Sequence, residues 1–276
     1  MEMKGEKIIF TSRGKKIFIR EWKTKNLQKK NILIIHGLGE HSGRYKEFAK
    51  FFIKNGLGVY ALDLQGHGKS EGKRGHIKSF EEYLDSVESS LIFIRKKFLE
   101  TPIILFGHSL GGLIGLNFLI ERESKEIESA VISSPWIETA IKVPEYLILL
   151  QKVLKRIFPS LRLNNRLTSS HLSKNKDIVS KYDEDELVHN EISLNLYSEV
   201  MKTIDNVKEK ASRIKARTLL YHGMSDKIIS SNGTIGISKL LKTHKLKLYD
   251  NVYHEPHNDL EKEEIYQDII EFIKKI

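Results

Sequence analysis

The 276-residue chain contains no cysteine, and this absence excludes several kinds of chemistry at once. Without thiols the chain has no disulfides, no zinc site built on thiolates and no cysteine nucleophile. The apolar content of 40% is ordinary for a globular protein. We therefore expect a sizeable core, in one large α/β domain with or without an insertion.

Long apolar runs are absent as well. No uninterrupted stretch approaches the roughly 18 residues that a membrane span needs. The first residues, Met1 to Lys7, have neither the apolar segment nor the cleavage site of a secretory signal. We expect a soluble, cytoplasmic protein, and peripheral contact with membranes stays open.

Acidic residues are fewer than basic ones, which leaves a formal net charge of +10. Nucleic-acid binding would need basic residues clustered with aromatic ones in a recognisable module, and the sequence contains none. We therefore expect no nucleic-acid partner and a charge spread over a solvated surface. The alternative is a weak attraction to anionic lipid surfaces.

Short β-rich runs alternate with helical patterns along most of the chain. Continuous apolar runs at residues 31–36, 59–62 and 103–106 predict strands that are buried on both faces. Residues 80–98 show apolar side chains at the spacing of a helix. The alternation predicts a mostly parallel sheet flanked by helices.

One stretch breaks this alternation. Residues 137–209 contain helix-like patterns at 144–158 and 191–204 but no convincing strand. We therefore predict a helical insertion at 137–209 in a core formed by residues 1–136 and 210–276. An insertion at the carboxyl ends of the strands would cover the place where α/β sheets bind ligands.

Ser109 lies between Gly107 and Gly111, directly after one of the predicted strands. A serine in this position is typical of a nucleophile elbow, a turn so tight that the residues two before and two after the serine must be nearly free of side chains. The pattern predicts a serine hydrolase. A serine hydroxyl also needs a histidine base and a carboxylate that orients it.

Asp226 and His254 complete the set in the order nucleophile, acid, histidine, and they follow two further predicted strands, at residues 218–221 and 246–249. Asp226 has a second interpretation as a turn cap. Asp205 and Asp250 compete for the acid role. Other histidines lie near the predicted site in sequence: His36, His41, His108 and His257. We expect His108 to pack beside the sheet.

An ester hydrolase also needs two backbone N–H groups aimed at the developing oxyanion. The residue after the serine, Leu110, would supply one of them. Leu38, which lies between Gly37 and Gly39 after an early predicted strand, would supply the other. The glycines let this loop turn and present the Leu38 amide.

Several motifs resemble one family. The segments HGLGEHSGRY (36–45), DLQGHGKSEG (63–72) and GHSLGG (107–112), the Asp226 loop and the pair Tyr253 and His254 are similar to signatures of monoacylglycerol lipases and related lysophospholipases. Residues 172–176 and 182–187 resemble that family's cap. The resemblance covers nearly the whole chain and implies the α/β-hydrolase fold with a helical cap.

The resemblance also implies hydrolysis of a carboxylic ester, with long-chain monoacylglycerols as the leading substrate and no metal or cofactor. It places substrate contacts at Glu40, Tyr182 and His257, although Glu40 has an alternative as a salt-bridge partner of Arg44. Leu38 is bulkier than the residue common at that position in the family and would narrow the pocket. Lysophospholipase, general esterase, aminopeptidase and non-catalytic receptor functions remain alternatives.

The helix-like stretch at 144–158 is unusually apolar. Basic residues interleave with it or flank it: Lys142, Lys152, Lys155, Arg156 and Arg162. Packing against the core is one interpretation. The other is a cap helix that exposes an apolar face to lipid aggregates while its basic residues meet anionic head groups.

Overall fold

The computed structural model describes residues 3–11, 13–23, 28–122, 125–141 and 143–275, so Lys142 lies outside the described residues. The strands in this part of the chain are β1 Met3–Phe10, β2 Lys16–Lys23, β3 Lys30–Ile35, β4 Leu57–Leu62, β5 Ile103–His108, β6 Ile127–Ser133, β7 Arg162–Asn164, β8 Glu191–Ser193, β9 Arg217–Gly223 and β10 His244–Tyr249. The helices are α1 Lys46–Lys54, α2 Glu81–Lys97, α3 Leu110–Glu121, α4 Glu145–Ile157, α5 Lys176–Asp183, α6 Leu194–Lys210, α7 Ser231–Ser238 and α8 Lys262–Lys274.

Eight strands form one sheet in the order β1-β2-β4-β3-β5-β6-β9-β10. The pairs β1/β2 and β2/β4 are antiparallel, and every later neighbouring pair is parallel. The prediction of a mostly parallel sheet is confirmed. Because the parallel strands run in one direction, the loops that follow β3, β5, β9 and β10 meet at the same edge of the sheet.

Helices cover both faces of the sheet, which explains why the central strands are apolar throughout. Every residue of β4 and β5 is buried. On one face, Phe52 of α1 and Ile269 of α8 belong to the same apolar cluster as Ile34. On the other face, Leu84 of α2 and Leu113 of α3 join Leu33 and its neighbours. Alternate side chains of each strand thus enter two separate cores.

Between β6 and β9, the described residues form three α-helices and a short antiparallel pair, β7/β8. The prediction that residues 137–209 contain no strand is therefore wrong. Each of these strands is only three residues long, too short for a period-two pattern, and each forms only because its distant partner is present. The predicted helix at 191–204 begins at Leu194, because the Ser193 hydroxyl accepts a hydrogen bond from the Leu196 N–H at 3.1 Å.

Among the described helices, none combines the length and the apolar character that crossing a bilayer requires. Likewise, no three histidine or acidic side chains in the described part of the chain are grouped so that they could hold a metal ion.

Candidate active site

Ser109 occupies the turn between β5 and α3. Its backbone has φ 53° and ψ −115°, a left-handed conformation that is strained for a residue with a side chain. A Cβ atom on Gly107 would lie 2.4 Å from the Gly111 carbonyl oxygen, and one on Gly111 would lie 2.1 Å from the Ile35 carbonyl oxygen. Both glycines are therefore sterically required, as the elbow pattern predicts.

His254 and Asp226 come from the loops after β10 and β9, and both reach Ser109 through a chain of hydrogen bonds. The Nε2 atom of His254 lies 3.1 Å from the Ser109 Oγ atom. The Nδ1 atom lies 2.6 Å from the Asp226 Oδ2 atom. Because a carboxylate only accepts, Nδ1 carries the proton, and the lone pair of Nε2 faces the serine hydroxyl.

The charges of this trio support one another. Burial alone favours a neutral imidazole, but the Asp226 carboxylate outweighs it and raises the pKa of His254 above its ordinary value. Burial likewise favours the protonated carboxyl of Asp226. Its contacts with His254 and His222 instead hold the pKa of Asp226 well below its usual range. The serine therefore faces a strengthened base.

Asp226 also shapes its own loop. Its Oδ1 atom accepts hydrogen bonds from the N–H groups of Ile228 at 2.8 Å and Ile229 at 3.0 Å. The turn-cap interpretation and the contact with His254 therefore hold together. Asp205 on α6 and Asp250 after β10 are both exposed to solvent.

The loop after β3 lies against the elbow. A Cβ atom on Gly37 would stand 3.3 Å from that of Ser109. The Glu40 Oε1 atom accepts the Gly37 N–H at 2.6 Å and the Tyr45 hydroxyl at 3.0 Å, which holds the loop in place. Leu110 begins α3, so its N–H has no partner within the helix and lies at the positive end of the helix dipole.

A small cavity of about 20 Å³ opens beside Ser109. Its lining consists of Gly37, Leu38, Glu40, His108, Ser109, Leu172, Tyr182, His254 and Glu255. A cavity of this size holds about one water molecule. An acyl chain does not fit in a cavity of this size.

A buried ionic cluster forms one wall of the cavity. The Arg44 guanidinium binds both oxygens of Glu255, at 2.6 and 2.8 Å, and the Glu40 Oε2 atom at 2.8 Å. It also lies 4.7 Å from the centre of the Tyr182 ring. Burial opposes ionisation of Glu255, but Arg44 lowers its pKa to about 2. The predicted Glu40–Arg44 pairing is thus present, within a larger network.

His257 does not line the cavity. It is fully buried, stacks on Tyr45 with ring centres 5.0 Å apart, and packs against His108 at 4.8 Å. Burial lowers the pKa of His257 to about 4. His108 lies between this ring and His254, 4.9 Å from the latter. Of the three predicted substrate contacts, the structure brings Glu40 and Tyr182 to the cavity and leaves His257 behind it.

Two other histidines near the site form hydrogen bonds with residues outside the catalytic trio. His36 accepts the Leu64 N–H at 2.9 Å, and His41 lies 2.8 Å from Asp185. Sequence reasoning missed Glu255 and His222. The only local signals were adjacency, because Glu255 follows His254 and His222 ends the strand that leads to Asp226.

The sheet, the elbow and the trio at its carboxyl edge define an α/β hydrolase of the serine ester hydrolase class. A family model described as serine aminopeptidase S33 (Hydrolase_4) matches residues 27–261. The chain therefore belongs to this family of α/β hydrolases.

Known relatives agree with this assignment. The chain is 31% identical to human monoglyceride lipase over 250 residues. This alignment covers 90% of this chain and 82% of that protein. It is 30% identical to phospholipase YtpA of Bacillus subtilis, over 86% of this chain and 92% of that protein. A Dictyostelium discoideum uncharacterized abhydrolase domain-containing protein is 32% identical over 97% of this chain, which spans only 28% of that longer protein.

Among solved structures, the monoacylglycerol lipase of Paleococcus ferrophilus superposes with a TM-score of 0.82 at 37% identity. The match covers 93% of this chain and 97% of that one.

Proposed function

We propose that this protein is a monoacylglycerol lipase that releases fatty acid and glycerol through an acyl-enzyme. The observation that carries the proposal is the hydrogen-bonded chain from Ser109 Oγ through His254 to Asp226. In this mechanism His254 takes the serine proton as the hydroxyl attacks the ester carbonyl, while Asp226 orients the ring and stabilises its charged form.

The oxyanion would be held by the amides of Leu38 and Leu110. The Leu110 N–H stands at the start of α3, next to the nucleophile, and the Leu38 loop lies against Ser109. Each such donor supplies a few kcal/mol of transition-state stabilisation. His254 then protonates the leaving alcohol, and a water molecule cleaves the acyl-enzyme by the same route.

The charge of the cavity wall supports a neutral leaving alcohol. Two carboxylates, Glu40 and Glu255, face one guanidinium, that of Arg44, which leaves one negative charge in excess. Glycerol tolerates such a site, whereas the phosphate of a lysophospholipid is repelled. We propose that Glu40 and Tyr182 contact the glycerol hydroxyls. A contact to His257 requires the groups in front of it to move.

Phospholipase activity is the second candidate, favoured by the similarity to the Bacillus phospholipase. The two functions differ in the head group that the cavity must accept. The same substrate panel that tests the first therefore tests the second.

We propose that residues 137–209 act as a cap on the core formed by residues 1–136 and 210–276. Leu172 and Tyr182 of this segment line the cavity beside Ser109, which supports the proposal. The backbone N–H of His189 also donates to the Gly39 carbonyl at 2.9 Å, which ties the cap to the Leu38 loop. Because the cavity beside Ser109 holds only about one water molecule, substrate entry in this proposal requires the cap to move.

We further propose that α4 binds lipid surfaces. Tyr146, Leu149, Leu150, Val153 and Ile157 form an apolar stripe along this helix, with exposed fractions between 50% and 69%. No residue of α4 is buried. Lys152 and Arg156 are exposed on the same helix and are placed to meet anionic head groups. In this proposal the protein is cytoplasmic and contacts membranes peripherally through α4.

Substrate hydrolysis tests the main proposal. Wild type and Ser109→Ala are compared on monoacylglycerols, lysophospholipids, short p-nitrophenyl esters and aminoacyl amides. We expect wild type to prefer monoacylglycerols and the variant to lose all esterase activity. Labelling by a fluorophosphonate probe, absent in the variant, identifies the nucleophile. Retained esterase activity in Ser109→Ala would contradict the proposal, and a preference for lysophospholipids or aminoacyl amides would replace the substrate assignment.

A further inference from the structure

The carboxylate of Asp226 is shared by two imidazole rings. Its Oδ2 atom lies 2.6 Å from the Nδ1 atom of His254 and 3.0 Å from the Nε2 atom of His222. His222 is fully buried at the end of β9, four residues before Asp226. The reaction described above assigns no task to this second ring.

The surroundings of His222 determine where its proton lies. The Nε2 atom faces two acceptors, the Asp226 Oδ2 atom and the Ile229 carbonyl oxygen at 3.2 Å. The Nδ1 atom lies 2.7 Å from the Thr234 hydroxyl, a group that both donates and accepts. Nε2 must therefore carry the proton, and Nδ1 accepts the Thr234 hydroxyl hydrogen. His222 therefore donates to Asp226 through Nε2.

This donor completes the set of contacts around the carboxylate. Two backbone N–H groups hold Oδ1, as described above, and His222 and His254 share Oδ2. We propose that His222 is a positioning residue for the hydrolysis: it holds Oδ2 in the direction of His254 and moderates the charge of that oxygen. The proposal rests on the roles proposed for Ser109, His254 and Asp226.

The proposal has an electrostatic consequence for His254. A hydrogen bond from His222 draws negative charge away from the end of Asp226 that faces His254. Removing this donor therefore raises the pKa of His254. The other titratable groups that act on His254 include His108, 4.9 Å away, His257, and the carboxylates of Glu40 and Glu255. None of these four groups changes in the variants below.

The experiment compares His222→Leu, which removes the donor, with His222→Gln, which keeps an N–H of similar reach. Activity is measured on a soluble p-nitrophenyl ester over a range of pH. For His222→Leu we expect kcat to fall about ten-fold, by analogy with the loss of a residue that orients the ligand of a metal ion. KM stays unchanged, and the acid limb of the pH profile moves to higher pH. His222→Gln restores both the wild-type kcat and the wild-type pH of the acid limb.

A second variant covers the case in which His222→Leu does not fold. Thr234→Val keeps the shape of a buried side chain on α7 but removes the hydroxyl that holds the His222 ring, so the contact of His222 with Asp226 weakens. We expect a smaller fall in kcat and a shift of the limb in the same direction. Circular dichroism checks the folding of each variant.

Several results would overturn the inference: a folded His222→Leu with wild-type kcat and pH profile, a His222→Gln no better than His222→Leu, or a Thr234→Val with an unmoved acid limb. Fluorophosphonate labelling separates this failure from that of the proposed function. Wild type that does not label at Ser109 refutes the mechanism itself. Equal labelling rates in wild type and His222→Leu refute only the role of His222.

Discussion

Helices α3 and α4 are both rich in leucine and isoleucine, yet they have opposite environments. Nine residues of α3 are buried, from Leu110 to Phe118, whereas none of α4 is. α3 contains no lysine or arginine, while α4 carries Lys152, Lys155 and Arg156. Apolar content alone therefore does not decide burial. In these two helices, basic residues interleaved with the apolar ones distinguish the exposed helix α4 from the buried helix α3.

The two helices also differ in how they are held. α3 packs against the sheet, α6 and α2, so the turn that carries Ser109 has little freedom. α4 is attached to α6 by polar contacts: Gln151 donates to the Leu194 carbonyl at 2.6 Å, and Lys155 donates to the Ser198 hydroxyl at 2.9 Å. The first arrangement suits chemistry, which needs fixed distances, and the second suits a part that moves.

We expect the largest effect from a substitution in the catalytic trio, whose serine lies on the rigid turn before α3. Asp226→Asn keeps the shape of the side chain but destabilises the tautomer of His254 that serves the serine. We expect kcat to fall about 10⁴-fold, as for the equivalent change in a serine protease triad. Hydrolysis of a p-nitrophenyl ester measures it. Asp205→Asn, an exposed acid on α6, is the matched control, and equal activities of the two variants would contradict the assignment of Asp226.

The next prediction concerns the packing around α3. Gly111→Ala places a methyl group 2.1 Å from the Ile35 carbonyl oxygen, so strand and helix must separate. We expect a loss of about 1–3 kcal/mol in the free energy of unfolding and a marked loss of activity.

Gly236 on α7 supplies the control for this change, because a Cβ atom there meets nothing within 4 Å. Gly236→Ala should be neutral or slightly stabilising, since alanine favours helices. Denaturant unfolding measures both variants. A Gly111→Ala variant as stable as Gly236→Ala would show that the elbow is looser than its geometry implies.

The exposed stripe of α4 provides a third prediction. Replacing Leu149 and Leu150 together by serine removes apolar area that would enter a lipid surface. We expect binding to anionic liposomes to weaken roughly ten-fold or more, with turnover of a soluble ester unchanged. Flotation with liposomes measures binding. The pair Ile92→Ser and Leu99→Ser, also exposed but far from α4 in sequence, is the control. Unaltered liposome binding in the α4 variant refutes the lipid-surface proposal.

The smallest expected effect is on the pH dependence. Asp226 raises the pKa of His254, so the ring becomes protonated, and useless as a base, as the pH falls through that raised value. The acid limb of kcat/KM should therefore lie above about 6.5, the ordinary pKa of histidine. A pH profile on a soluble ester measures it. A limb at or below the ordinary value would show that burial outweighs the carboxylate.

Much of the site follows from local signals. Strands buried on both faces produce continuous apolar runs, and the elbow requires glycines two residues on either side of Ser109. The carboxyl ends of parallel strands share one edge, so loops that follow β5, β9 and β10 must meet. For this reason the sequence alone predicts that Ser109, Asp226 and His254 lie close together.

Contacts between distant residues were not predictable in this way. The β7/β8 pair joins residues about 30 positions apart, and neither strand has a pattern of its own. His257 was expected at the substrate, but its ring stacks on Tyr45 behind His108. The apolar pattern of α4 was visible, but which of its faces is covered depends on where α6 lies.

The sequence by itself determined the class of fold and the order of the reacting side chains, because periodicity, glycines and strand ends are local properties. Only the tertiary structure decided how those groups are supported. It placed Arg44 between Glu40 and Glu255, brought His222 and His254 to the same oxygen of Asp226, and left the stripe of α4 uncovered. Each of these depends on elements packing together that lie far apart along the chain, which no local pattern encodes.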